Sequence, residues 1–337
     1  MKCPATTAPT VTTTLVLASS LLLASCGSGG NGGNGSTDAA GDAAISVENC
    51  GDTVTLDGPP ENVTLLKPAA VTTLADLGVL DRVANRAGQY PEEYFDDATN
   101  RALADIPSIT DKTDESGHLQ ISREEVVAAA PDLVLGETDT VNRQTLASSD
   151  IPLIEEPAFC DAIDGPVTWD DVWDQVGLYG TVFDRQDVAA STVDDLRARL
   201  AAVEEEAASH AAAGRSVAVL YPTVGGGVTY AYGAGSMAAP IVASTGASNV
   251  YGDQADRVFE VTAEDIVERN PDVILALHSD GGEDQVLDAV NQIPGIDRTT
   301  AGRSQNILPM LLNYAEPPTP LAVDGLEKLT TYLQENP

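Results

Sequence analysis

Three groups of residues in this chain could do chemistry. Two cations, Lys67 and Arg257, stand out where only 17 residues are basic and 52 are acidic. Each follows or adjoins an apolar run, as expected of a residue in a loop at a strand end. There it could meet negative charge on a small molecule. Five tyrosines, Tyr90, Tyr221, Tyr230, Tyr232 and Tyr314, sit in similar stretches. A tyrosine ring covers an apolar flank while its hydroxyl bonds an oxygen donor. Gln89 beside Tyr90 adds an amide. Two glutamates, Glu124 and Glu264, occupy the same place in a repeated pattern: "ISREEVVAAAPDLVL" at 121–135 and "VTAEDIVERNPDVIL" at 261–275. Ser122 and Thr262 read as helix N-caps, with Glu125 and Asp265 as capping-box partners. Glu124 and Glu264 then fall in the first turn, beside the positive end of the helix dipole. Pro131-Asp132 and Pro271-Asp272 mark the exit into a strand, because a residue before proline is driven out of α geometry.

The elements that must hold these residues alternate between strand and helix. In the first half, "NVTLLKP", "DRVANRAG", "PDLVLGET" and "IPLIEEP" read as strands and "AAVTTLADLG" as a helix closed by Gly78. The second half repeats the rhythm with "RSVAVLYP", "MAAPIVASTG", "PDVILALHSD", "GEDQVLDAVNQI", "NILPMLL" and a closing helix "LAVDGLEKLTTYLQ". This order predicts an α/β protein of two parallel-sheet lobes. Between them Val193, Leu196, Leu200, Val203 and Ala207 recur at helical spacing, and Gly214 supplies a stop. Roughly 27 helical residues would span ~40 Å at ~1.5 Å per residue, enough to join the lobes as one long helix. The predicted boundaries are a first lobe at 45–183, a connecting helix at 184–213 and a second lobe at 214–337. Ligand contacts are then expected in the loops after the strands, facing the cleft between lobes.

The N-terminus is read separately. Lys2 precedes an apolar run over residues 11–26 that is too short for a membrane span of ~20 apolar residues and fits a signal peptide over 1–25. Leu23-Ala24-Ser25-Cys26 resembles a bacterial lipobox, which implies lipidation of Cys26. The Gly/Asn/Ser-rich stretch over 26–44 is the tether such an anchor needs. Processing there removes Cys3 and leaves Cys50 and Cys160, expected to pair in an oxidising compartment. The net charge of −35 argues against nucleic acid, whose phosphates need a positive face, and fits a strongly hydrated surface.

Lipobox, two α/β lobes, one long helix, two copies of E-x6-P-D-[LV]-[VI]-L and the segment "VLYPTVGGGVTYAYGAGSMAAPIVASTGASNVYGD" occur here in order. Together they resemble the periplasmic-binding-protein family of the iron-siderophore and vitamin B12 type, the class III substrate-binding components of ABC importers. The resemblance implies binding without catalysis or resident cofactor, outside the cytoplasm, by a lipid-anchored monomer. Its ligand would be a small chelate, a ferric siderophore first, with corrinoid, haem or another organic ligand as the alternative. The partners would be two permease subunits with their cytoplasmic ATPase. Glu124 and Glu264 would meet one arginine on each subunit, which explains one carboxylate per lobe.

Other chemistries are less well supplied. "GAGSMA" at 233–238 fits G-x-G-x-x-[GA], with Asp253 downstream, and would serve a dinucleotide- or phosphate-using enzyme on a similar scaffold. No clear apolar strand leads into Asp253. His118, His210 and His278 are too scattered for a metal triad, and no G-x-S-x-G elbow for a hydrolase is present. "NVT" at 62–64 is a chance sequon in a strand. A receptor that hands its ligand to a sensor would look the same in sequence.

Overall fold

Short, largely apolar runs, buried on both faces, build the central strands of both lobes. The structure, a computed structural model, describes residues 44–114, 118–209, 214–279 and 282–337. The expected signal peptide, Cys26, the tether up to residue 43 and His210 lie outside the described residues. In chain order the first lobe holds β1 (Ile45–Asn49), β2 (Asp52–Leu56), β3 (Val63–Leu65), α1 (Val71–Asp76), β4 (Val83–Arg86), α2 (Asp97–Asp105), α3 (Arg123–Ala128), β5 (Leu133–Leu135), α4 (Arg143–Leu146) and β6 (Leu153–Ile154). Two helices follow, α5 (Trp169–Val182) and α6 (Gln186–Ala208). The second lobe holds β7 (Ser216–Pro222), β8 (Thr229–Tyr232), α7 (Ala238–Ser244), β9 (Ser248–Asn249), β10 (Val258–Val261), α8 (Ala263–Arg269), β11 (Val273–His278), α9 (Glu283–Asn291), α10 (Thr300–Ser304), β12 (Ile307–Leu311) and α11 (Leu321–Glu335).

The first sheet is parallel throughout, in the order β4-β3-β5-β6, and β1–β2 form a separate antiparallel hairpin. In the second sheet β9, β7, β11 and β12 run parallel. It departs from the expected all-parallel form at one edge, where β7, β8 and β10 pair antiparallel. The three-glycine turn after Pro222 allows that direct return, whereas a parallel neighbour would need a crossover helix.

Alternation splits each sheet between two cores. Leu133 and Leu135 enter one core shared by both lobes, as do Val217, Val219, Val273, Leu275 and Leu277. Val134 turns instead into a core private to the first lobe, and Ala218, Leu220, Ile274 and Ala276 into one private to the second. The shared core also takes Leu196, Leu200, Val203 and Ala207, the expected face of the connecting helix. That helix, α6, is 23 residues long, shorter than the predicted 184–213. It packs on α5, α1 and α11, so helices from both ends of the chain clasp it. Lobes joined by a continuous core move little against one another, because a close-packed interior resists shear. Among the described residues, no helix is long and apolar enough to cross a membrane.

Candidate functional site

The repeated motif builds both lobes in the same way. Shortly after α3 and α8 the chain turns at Ala130 and Asn270, each left-handed with φ of 49° and 44°, and each directly before proline. The next residue clamps the neighbouring strand. Asp132 accepts from the backbone N–H groups of Glu61 (2.7 Å) and Asn62 (3.0 Å), ahead of β3. Asp272 accepts from the N–H and hydroxyl of Ser216, both at 2.9 Å, where β7 begins. The tight exit turns α3 back along β5, so its N-terminus lies toward the carboxyl end of that strand. Accordingly the Thr140 hydroxyl, beyond β5, donates to the Ile121 carbonyl at 2.5 Å. Glu124 and Glu264 are both exposed in these first turns. Ser122 and Glu125 close the predicted capping box. Thr262 caps Asp265 N–H, but the Asp265 carboxylate turns to Arg269 (3.2 Å) instead of completing a box.

The cations stand at strand ends of opposite kind, Lys67 past the carboxyl end of β3 and Arg257 ahead of the amino end of β10. Lys67 follows β3, and its Nζ lies 2.5 Å from Glu155 Oε2, just beyond β6. The lysine side chain is 31% exposed and the carboxylate 2%. Glu155 also accepts from Glu137 N–H (2.8 Å), which fixes it against the loop after β5. Gly136, at φ 97°, leaves room for the lysine stem: a Cβ there would meet Lys67 Cγ at 3.2 Å. Arg257 precedes β10, and its Nη1 lies 3.3 Å from Oε1 of the fully buried Glu316. Glu316 accepts further from the Ser236 hydroxyl (2.8 Å) and Met237 N–H (3.0 Å). Burial raises the Glu316 carboxyl above its usual range, against the pull of Arg257 and these donors.

These bonds also settle the glycine motif. Gly233 and Gly235 pack on the loop that carries Arg257: a Cβ would stand 2.4 Å from Asp256 O and 2.8 Å from Ala255 O. The donors that a phosphate would use at Ser236 and Met237 are occupied by Glu316. The turn is a support for Arg257.

Phe159, which the sequence reading did not single out, joins the two cations. Lys67 Nζ lies 4.6 Å and Arg257 Cζ 5.4 Å from the centroid of its ring. One cation from each lobe therefore addresses one aromatic ring. Glu155, Glu316 and Phe159 were the missed residues, and acidic residues at apolar strand ends, as in "LIEEP", were their only sequence signal. Beside Arg257 an inter-lobe cavity of about 480 Å³ is walled by Pro157, Ala158 and Asp161 with other residues up to Pro166 of the first lobe, and by Ala234, Gly235 and the 252–257 loop of the second. Phe159 itself is not part of the lining. Of the eight residues expected to touch ligand, only Arg257 lines this cavity.

The remaining candidates lie outside that cavity. Gln89 is exposed and Tyr90 half-buried, its hydroxyl donating to Ala87 O (3.1 Å) and its ring under Arg86. The Tyr221 hydroxyl lies 3.2 Å from that of Ser279, and Tyr230 pairs with Tyr221 across β7–β8. Tyr232 is buried in the shared core. Tyr314 is buried where the lobes touch: its ring meets Tyr94 edge-on at 5.1 Å, its hydroxyl donates to Glu93 O, and Asn313 N–H donates to Tyr94 (2.9 Å). Burial holds Tyr90, Tyr94 and Tyr232 well above the usual phenol range and Tyr314 at about 12, so all stay protonated near neutrality. Among the described residues, no cluster of His, Cys, Asp and Glu could hold a metal ion.

Cys50 and Cys160 form a disulfide with a Cα–Cα distance of 5.7 Å. Cys50 and Gly51, both left-handed, make the β1–β2 turn, so the bridge links a hairpin tip to the residue after Phe159.

Two α/β lobes joined by one long helix, with polar side chains converging between them, have the architecture of a two-lobed solute-binding protein. A family model for periplasmic binding proteins matches residues 63–310, and the chain belongs to that family, whose members work outside the cytoplasm. Among solved structures it is similar to an ABC-type Fe3+-hydroxamate transport system from Saccharomonospora viridis DSM 43017, at 52% identity and TM-score 0.81, covering 86% of this chain and 98% of that one. Similarity to the apo periplasmic heme-binding protein RhuT of Roseiflexus sp. RS-1 is one of fold, at 20% identity and TM-score 0.65, over 82% and 98% of the two chains. A curated relative, the cobalamin-binding protein of Halobacterium salinarum R1, is 27% identical over 286 residues, 82% of this chain and 70% of the relative.

Proposed function

We propose that this protein is the substrate-binding component of an ABC importer and that it captures a ferric hydroxamate siderophore as an intact chelate between its lobes. The observation that carries this reading is the apposition of the lobes at Phe159, where Lys67 and Arg257 are each already neutralised by a buried carboxylate and leave an uncharged chelate an aromatic ring and hydrogen-bond donors. Lys67 stands beyond the carboxyl end of β3, where ligands of open parallel sheets bind, and Arg257, ahead of β10, reaches the same ring from the second lobe. A chelate that arrives with its iron fully coordinated needs hydrogen bonds and apolar cover from the protein, and no ligating side chain. Protonated tyrosines suit that task and suit iron ligation poorly. Gln89, Tyr90, Tyr221 and Tyr230 are the surface for the chelate's oxygen rim, with Tyr232 and Tyr314 supporting the walls. The 52% identical relative supports hydroxamate. A corrinoid is the second reading, favoured by the curated cobalamin-binding relative.

Delivery follows from the paired helices. Glu124 and Glu264 dock the loaded protein onto the permease, each with an arginine of one subunit, while the cytoplasmic ATPase drives release. Cys26 anchors the chain through lipid, with residues 26–44 as tether, and the protein acts as a monomer. Native mass spectrometry of the domain from residue 44 against ferrioxamine B, a ferric tricatecholate, cyanocobalamin and haemin tests the ligand. A one-to-one ferrioxamine adduct is expected, and an adduct with cyanocobalamin alone would move the reading to corrinoid. Reversing both charges, Glu124→Lys with Glu264→Lys, should abolish uptake into permease-containing vesicles with affinity intact. Lost affinity would contradict the docking role.

A further inference from the structure

Phe159 sits on a segment with little regular structure to hold it. Between β6 and α5 the chain makes one 3-10 turn, Pro157–Phe159, kept by Phe159 N–H to Glu156 O (2.8 Å) and Ala162 N–H to Pro157 O (3.0 Å). The first-lobe wall of the inter-lobe cavity lies wholly on this segment, within residues 157–166. Its covalent restraint is the bond from Cys160 to Cys50. The hairpin that carries Cys50 is itself fastened to the end of β6: Asn49 Nδ2 donates to Glu155 O (2.9 Å), and Glu155 N–H donates to Asn49 Oδ1 (3.0 Å). Glu155 is also the carboxylate that holds Lys67. One staple therefore ties together the strand end that orients the first cation and the ring that both cations meet. The hairpin does not depend on the disulfide for its place, since Val47, Val54 and Leu56 are buried in the shared core.

We infer that the Cys50–Cys160 disulfide positions Phe159 between Lys67 and Arg257, making this ring the lobe-bridging contact that sets ligand affinity. The inference rests on the reading that ligand binds between the lobes. Without the staple the turn gains conformations, and the ring spends less time where both cations reach it. The disulfide then acts as part of the binding site, whereas a purely structural bridge would stabilise the chain and leave the cleft unchanged.

A double-mutant cycle decides between these roles. Cys50→Ala with Cys160→Ala, Phe159→Leu, and the triple variant are compared with wild type for ferrioxamine B affinity by fluorescence quenching. Loss of cation–π contact at a partly desolvated ring corresponds to about tenfold weaker binding for Phe159→Leu. The disulfide-free variant should lose a similar factor, and the triple variant should be no weaker than Phe159→Leu alone. Losses that multiply, or unchanged affinity in the disulfide-free variant, would overturn the inference. Amide exchange on the ligand-free proteins gives a readout independent of ligand identity. Removal of the disulfide should speed exchange in 157–166 and 252–257 and leave the sheet strands as they were. Exchange unchanged there, or raised across both sheets, would assign the bridge to the fold. If wild type binds no ferrioxamine B, the hydroxamate reading falls, and the exchange comparison still decides what the disulfide does.

Discussion

The two copies of the repeated unit agree at one end and diverge at the other. Where helix meets strand, both lobes use a left-handed residue, a proline and an aspartate that clamps the next strand. Where the lobes face each other, little is shared. The first lobe reaches out with a lysine held by Glu155, the second with an arginine held by Glu316 on a glycine-supported loop. The first also carries Glu156 beside its anchor, buried and, among the described residues, outside every ion pair. The repeat thus preserves what sets the register of a parallel sheet, and each lobe supplies its own chemistry where ligand is met.

That contrast can be tested, and the buried carboxylates give the largest effect. Burial, reinforced by Glu155 and opposed by bonds from Tyr179 and Gln175, pushes the Glu156 carboxyl up to about 7. A raised carboxyl means the folded chain binds the proton more tightly than the unfolded one. Stability therefore falls as pH rises from about 4.5 to about 7, by roughly 2–3 kcal/mol from this group. Glu156→Gln keeps an acceptor for Tyr179, and denaturant unfolding from pH 4 to 8 should show that slope flattened. An unchanged slope would mean the group is charged throughout. The two clamps come next. Asp272 is half-buried and Asp132 exposed, so water can replace the second more readily. Asp272→Ala should cost about 2 kcal/mol and Asp132→Ala about 1; equal costs would mean that burial does not distinguish them. The left-handed residues give the smallest difference. Ala130→Gly should stabilise by about 1 kcal/mol by relieving a backbone state that costs alanine about that much. Asn270→Gly should gain nothing, because the Asn270 side chain also accepts from Thr300 N–H at 2.8 Å. A gain at both positions would show the two turns to be interchangeable.

Much of the scaffold was legible in the sequence because apolar period and turn residues are local signals. The runs ending in Leu65, Leu135 and Ile154 are strands, and the buried face of α6 carries the predicted Leu196, Leu200 and Val203. The β1–β2 hairpin and α5 escaped notice. The hairpin is short and largely polar, whereas α5 carries Trp169, Val172, Trp173, Val176 and Tyr179 at helical spacing behind a Thr168–Asp171 capping box, so its signal was there to read. The site was only half legible. Lys67 and Arg257 stand out as rare cations, and the structure brings both to Phe159. Phe159, Glu155 and Glu316 acquire their roles from the apposition of lobes distant in sequence, which no local pattern encodes. Tyr314 looked like a loop contact, yet it packs against Tyr94 of the other lobe, more than 200 residues away in sequence.

The central claim is that ligand sits between the lobes at the ring shared by Lys67 and Arg257. Crystals of the domain from residue 44 grown with ferrioxamine B, measured at the iron absorption edge, test it directly. One anomalous peak is predicted, between the two lobes and beside Phe159. A single peak on any other face of the molecule would contradict the account.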